Sequence, residues 1–132
     1  MTEECFLFVY GTLMKKCPKN QWSNFLQENA KYLGEGWTSG VLYQIDFYPG
    51  LIRGHEKVYG EIYQLNNALE IFFKLDTYEG YNSEKLDESL YLRKNTQVYS
   101  LIKCEYISAF TYFYNQSIVN LERIESGKFK CN

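Results

Sequence analysis

Apolar positions along the chain fall into short runs with two different spacings. Cys5–Tyr10 is an almost continuous apolar run that stops at Gly11. Its shortness and its aromatic and β-branched content predict a strand buried on both faces. Between Asn20 and Leu33 the spacing changes, with Trp22, Phe25, Leu26, Ala30 and Leu33 recurring at steps of three and four. That is one face of a helix, and Gly34 supplies a C-terminal stop. Gly40–Phe47 and Lys57–Leu65 predict two more strands, the second alternating Val58, Gly60 and Ile62 against Tyr59, Glu61 and Tyr63. Turn chemistry at Tyr48-Pro49-Gly50 separates them. A glycine inside a strand, here Gly60, marks a bulge or a close approach.

Asn67-Ala68-Leu69-Glu70 has the layout of a capping box. It opens a short helix with Leu69, Phe72, Phe73 and Leu75 apolar, running toward Glu79-Gly80. The polar stretch Asn82–Glu88 reads as a loop. Beyond it, three segments rich in Tyr, Ile, Val and Phe between Leu90 and Tyr114 read as strands. This order predicts an α+β fold, a small mixed and strongly curved β-sheet or β-barrel with a few flanking helices, rather than a doubly wound parallel sheet. Residues 1–132 read as a single domain without linker, repeat or low-complexity tract.

Composition narrows the partners. The 132 residues suffice to bury a core, and 45% apolar with 18% aromatic content argues against disorder. The net charge of −2 arises from 14 basic and 16 acidic residues with no basic stripe, so nucleic acid is not expected as a partner. No apolar run approaches the roughly 20 residues of a spanning helix, and no membrane is expected. Met1-Thr2-Glu3-Glu4 is acidic where a signal peptide is positive, which points to the cytoplasm. Cys5, Cys17, Cys104 and Cys131 are far apart, without a C-x-x-C pair, and His55 is the single histidine. Neither a zinc site nor a disulfide framework has the required spacing, and the cysteines read as reduced thiols.

Three features carry candidate chemistry. At Tyr10-Gly11-Thr12-Leu13 a buried strand ends at a glycine beside a hydroxyl residue. Successive backbone N–H groups there form a concave anion site for a carboxylate, unless the segment is an ordinary turn. Glu79 lies between Tyr78 and Tyr81 at the end of a helical stretch. Aromatic surroundings raise a carboxyl pKa into the range of general acid/base work, and the alternative is a solvated helix-end acid. Tyr91-Leu92-Arg93 puts two polar tips on one face of a strand, as a site pair or a surface pair. His55 reads as a loop residue with no identifiable nucleophile beside it. No phosphate-loop signature occurs.

Taken in order, six motifs resemble the γ-glutamylcyclotransferase-like family, which includes the plant AIG2-like proteins and the γ-glutamylamine cyclotransferases. They are Phe8-Val9-Tyr10-Gly11-Thr12-Leu13, Tyr48-Pro49-Gly50, Val58-Tyr59-Gly60-Glu61-Ile62-Tyr63, Leu75-Asp76-x-x-Glu79-Gly80-Tyr81, Tyr91-x-Arg93 and Ile124-Glu125-Ser126-Gly127. The resemblance implies a cavity in which the amides of Gly11, Thr12 and Leu13 hold a substrate carboxylate. It implies Glu79 as the catalytic residue, and Tyr10, Tyr48 and Tyr91 are expected to line the pocket with apolar walls and hydroxyl tips. The implied reaction is attack of a γ-glutamyl amide's own α-amino group on its γ-carbonyl, giving 5-oxoproline and a free amine. No cofactor or metal is called for, so activity is expected to survive a strong chelator. A non-catalytic small-molecule binding module of the same fold is the alternative. Phe129 stands where many members have Trp, and the Gly80–Tyr91 segment is longer and more charged than in compact members. Contacts to the leaving amine are expected from variable loops such as Asn82–Glu88.

Overall fold

Two asparagines set where the helices begin. In the computed structural model, which describes residues 4–131, Asn20 accepts hydrogen bonds from Trp22 N and Ser23 N at 2.9 Å, and Ser23 Oγ accepts from Asn20 N in return. This reciprocal cap opens α1 (Gln21–Asn29). Asn67 accepts from Glu70 N and opens α2 (Ala68–Tyr78). Met1–Glu3, whose acidic character entered the compartment argument, lie outside the described residues.

The strands are β1 (Phe6–Val9), β2 (Ala30–Gln44), β3 (Pro49–Leu65), β4 (Tyr91–Ser100), β5 (Glu105–Tyr114) and the two-residue β6 (Glu122–Arg123). They form a 6-stranded mixed sheet. Two antiparallel hairpins build most of it, β2 with β3 from Ala30↔Leu65 to Gln44↔Pro49 and β4 with β5 from Tyr91↔Tyr114 to Ser100↔Glu105. β2 also pairs with β4, while β1 lies antiparallel to β3 and meets β5 in parallel at Leu7↔Phe110. The sheet therefore curls until its ends meet, and the predicted α+β architecture with a strongly curved mixed sheet is borne out. The buried core includes Leu7, Phe8, Ile62, Tyr63, Leu75 and Val98. No helix among the described residues is long and apolar enough to cross a membrane.

Long-range pairing overrides several local readings. The helix predicted to reach Leu33 stops at Asn29, and Ala30 already has extended backbone at φ −144°. Residues 30–32 are claimed by the ladder with Leu65, Gln64 and Tyr63, so Gly34, at φ +106°, serves a register shift in β2 rather than a helix end. The predicted turn at Tyr48-Pro49-Gly50 moves forward: Ile45 N and Asp46 N both donate to Tyr48 O, and Pro49 opens β3. Three predicted strand segments after Leu90 are two. On α2, Ile71, Phe72 and Leu75 are buried, whereas Leu69 and Phe73 are 87% and 76% exposed. His55 lies within β3 rather than in a loop, at an irregularity where Gly40↔Glu56 is followed by Val41↔Ile52. Gly60 is a close approach, since a Cβ there would come within 2.3 Å of Val9 O.

The cysteine reading needs correction. Cys17 and Cys131 form a disulfide across 114 residues of sequence, and only Cys5 and Cys104 are free among the described residues. Their proximity is created by the C-terminal segment. Tyr59 N donates to Gly127 O at 2.8 Å and Phe129 is buried in the core, which returns the chain across β3 to the turn after β1. Spacing along the sequence carries no sign of that return.

Candidate active site

β1 delivers the first part of the site. Val9 and Tyr10 are buried, and beyond them the chain tightens into consecutive turns, with Met14 N donating to Gly11 O at 3.0 Å and Cys17 N to Met14 O at 3.1 Å. Neither Gly11, Thr12 nor Leu13 has its N–H bonded to a backbone carbonyl among the described residues. A Cβ on Gly11 would sit 2.9 Å from the Pro49 ring, so only glycine allows the turn to pass this close.

A buried carboxylate braces this turn from behind. Glu61, 2% exposed on β3 and directly opposite Val9, accepts hydrogen bonds from Lys15 N and Lys16 N. Burial pushes its carboxyl up and the two amides pull it down, with burial the larger effect. Asn20 Nδ2 donates to Thr12 O at 3.1 Å, tying the turn to the start of α1.

The second part comes from the end of α2. Glu79 N donates to Leu75 O, Gly80 N to Thr77 O and Tyr81 N to Asp76 O, with Gly80 at φ +69°. This is a Schellman ending, and the glycine is required by its left-handed backbone. Glu79 is thereby fixed at the cap, where the helix carries its negative partial charge. Its partly accessible side chain lines a cavity of about 210 Å³. Burial, and then the neighbouring Asp76, push its carboxyl up to about 8, and no hydrogen bond from the described residues lowers it.

The remaining walls are aromatic. Tyr10, Gly11, Thr12, Leu13, Tyr48, Glu79 and Tyr91, the residues singled out from the sequence, all line this one cavity. Their hydroxyls differ in duty. Tyr10 Oη donates to Tyr112 O at 2.6 Å and accepts from Leu51 N at 3.1 Å, and Tyr91 Oη donates to Pro49 O at 2.6 Å. Both are struts between strands, and burial raises both phenols, so they present rings rather than free hydroxyl tips. Arg93 does not line the cavity. It stacks over Phe72 at 3.9 Å and lies 3.4 Å from Asp76.

Sequence reasoning missed Tyr112, which lines the cavity and donates from its hydroxyl to Asp76 Oδ1 at 2.6 Å. Tyr112 faces Arg93 in the β4–β5 register, so the two hold Asp76 together from adjacent strands. The strand alternation around Tyr112 was the only available signal. Phe47 and Tyr78 at the mouth were also missed. The Asn82–Glu88 segment, expected to meet a leaving amine, contributes no residue to the cavity wall. It closes on itself instead, through Ser89 Oγ, which accepts from Asn82 N at 2.8 Å.

A curved mixed sheet that gathers one acid and one open turn in an aromatic cavity has the layout of a small-molecule site. The chain belongs to the γ-glutamyl cyclotransferase, AIG2-like family, whose model matches residues 7–131. It is 33% identical over 122 residues to the gamma-glutamylcyclotransferase family protein YtfP of Escherichia coli K12, covering 92% of each. The solution structure of ytfP from Escherichia coli superposes with a TM-score of 0.63 at 30% identity, covering 94% of this chain and 95% of that one. The crystal structure of an AIG2-like protein from Mus musculus shares the fold, with a TM-score of 0.73 at 24% identity over 98% of this chain and 90% of its own.

Proposed function

We propose that the protein converts a γ-glutamyl amide to 5-oxoproline and a free amine, with Glu79 carrying the proton. The observation that carries this reading is the Glu79 carboxyl lining the same cavity as the Gly11–Leu13 turn, without a hydrogen-bond partner among the described residues and pushed up by burial. The turn's amides take the substrate's α-carboxylate. The substrate's α-ammonium, beside its own carboxylate, keeps its proton at neutral pH, so a base must remove one before attack. Glu79 removes one proton from the ammonium, the amine attacks the γ-carbonyl and closes the five-membered ring, and Glu79 returns that proton to the departing nitrogen. No water is consumed. Fixed orientation of an attack that is already intramolecular supplies the rest of the acceleration.

The productive complex holds one proton between Glu79 and the amine. kcat/KM therefore rises with pH as the free carboxyl ionises near 8 and falls as the free substrate's ammonium is lost. A bell with its maximum above pH 8 is expected from 5-oxoproline release measured between pH 5 and 10. A rate already flat at pH 5 contradicts the elevated Glu79.

The reaction itself is tested by incubating the protein with a panel of γ-glutamyl amino acids and γ-glutamylamines and measuring 5-oxoproline. Binding without release across the panel favours a binding module. Glu61→Gln tests the brace behind the turn, because its amide cannot accept from both Lys15 N and Lys16 N. Hydrogen bonds to charged groups contribute about 1.5–3 kcal/mol, so KM is expected to rise about tenfold or more while kcat changes much less. An equal loss in both constants would place Glu61 outside substrate binding.

A further inference from the structure

We infer that Asp76 is a positioning residue for Glu79, a negative charge pinned by Tyr112 and Arg93 that governs how tightly Glu79 holds the proton it moves. The inference rests on the proposed role of Glu79 and adds what tunes that residue. Asp76 and Glu79 stand three residues apart at the end of α2, neighbours on the helix surface. Glu79 lines the cavity and Asp76 does not, so Asp76 acts through Glu79 rather than on substrate.

The two acids are furnished unequally. Asp76 Oδ1 accepts from Tyr112 Oη at 2.6 Å and lies 3.4 Å from Arg93 Nε. That nitrogen is buried without a hydrogen bond, so Arg93 meets Asp76 as a charge and not as a donor. Three rings fix its guanidinium there, Phe72 at 3.9 Å, Phe110 at 5.4 Å and Tyr81 at 5.9 Å. Burial pushes the Asp76 carboxyl up, while the Tyr112 hydroxyl and then Arg93 pull it down. Glu79 has neither kind of partner among the described residues. The proton therefore stays with Glu79 and the negative charge with Asp76, two neighbouring carboxyls driven apart by their surroundings.

The other titratable groups around Glu79 are uncharged between pH 5 and 9. Tyr10 from β1, Tyr48 from the turn before β3, Tyr91 from β4 and Tyr112 from β5 share its cavity, and burial is the main force raising each phenol above its ordinary value. No Lys, Arg or His lines that cavity. Cys5, the further group that feels Arg93, is raised by burial and stays a thiol. Among the described residues, Asp76 is thus the charge whose field bears on Glu79.

The test follows isotope-labelled glutamate carboxyl resonances by NMR against pH, with the Glu79 signal assigned by its loss in Glu79→Gln. In Asp76→Asn the Glu79 midpoint is expected at lower pH than in wild type. The acid side of the kcat/KM profile for 5-oxoproline release is expected to move with it, so that at pH 6 the variant keeps severalfold more of its maximal value. Asparagine leaves Arg93 without its counter-charge, which can cost the fold. Asp76→Asn combined with Arg93→Gln removes both charges together, a milder change, and the midpoint is expected to fall there as well. A midpoint that stays at its wild-type pH in these variants makes Asp76 a strut of the α2 end and overturns the inference, whatever happens to Tm. A midpoint that falls while the wild type turns over no γ-glutamyl compound supports the tuning and fails the reaction assignment separately.

Discussion

Glu79→Gln is expected to lower 5-oxoproline release by about 10²–10⁴-fold, the usual worth of a positioned proton carrier. Glutamine keeps the size of the side chain and the Schellman ending depends only on backbone groups, so substrate still enters a cavity of unchanged shape. The loss therefore falls on kcat, because the amide can neither take the ammonium proton nor deliver it to the leaving nitrogen. Retention of activity within about tenfold would remove Glu79 from the proton path. The same variant carries a second signature. Burial raises the Glu79 carboxyl from its ordinary value of 4.5 to about 8, so the folded state holds its proton more tightly than the unfolded chain. That contribution to stability is fully present below pH 4.5 and is lost as pH rises through 8. The wild type is therefore expected to lose stability, and Tm, as pH rises through that window. Glutamine does not titrate, so the variant is expected to melt progressively higher than wild type as pH rises to 9. An unchanged Tm difference between pH 5 and pH 9 would contradict the burial of this charge.

Reduction of the Cys17–Cys131 bond is expected to lower Tm by roughly 10 °C or more. Closing a loop of this length stabilises a fold by about 4–5 kcal/mol in the chain-entropy account, since the unfolded ensemble loses most of its freedom to separate its ends. The bond joins the turn region next to the candidate carboxylate site to the segment that places Phe129 in the core. Release therefore loosens both at once, and KM is expected to rise in parallel. Thermal melts with and without reductant, beside Cys131→Ser as a reductant-insensitive control, make the comparison. A Tm indifferent to reductant in the wild type sinks the prediction. Disulfides are rare in reducing compartments, so the bond and the expected cytoplasmic location pull in opposite directions. Trapping free thiols in intact cells before lysis reads the state directly.

Where the chain's own neighbours decide structure, the sequence was readable. The β1 run is continuous because both faces are buried, Asn20 and Asn67 cap their own helices, and Gly80 marks the end of α2 through its local backbone. Tyr10, the following turn and Glu79 were accessible for the same reason, each standing at a boundary visible in its immediate residues. The rest depended on partners far away. Ala30 abandons the helical period because Leu65 offers a ladder partner, and Cys17 meets Cys131 only after the C-terminal segment returns. Tyr112 and Arg93 converge on Asp76 through a register that neither strand encodes alone. Phe47 reads as an ordinary strand residue until the turn shifts forward and exposes it.

The pairing of β1 with β5 has a consequence for the order of assembly during synthesis. The turn after β1 leaves the ribosome before the strand that holds this segment, through Thr111 Oγ1, which donates to Phe8 O, and Tyr112 O, which accepts from Tyr10. Contacts between such distant positions form late, because loop closure must precede their reward. A nascent chain that already carries Glu79 therefore has no cavity for it until Tyr91 and Tyr112, which complete the wall, have been made.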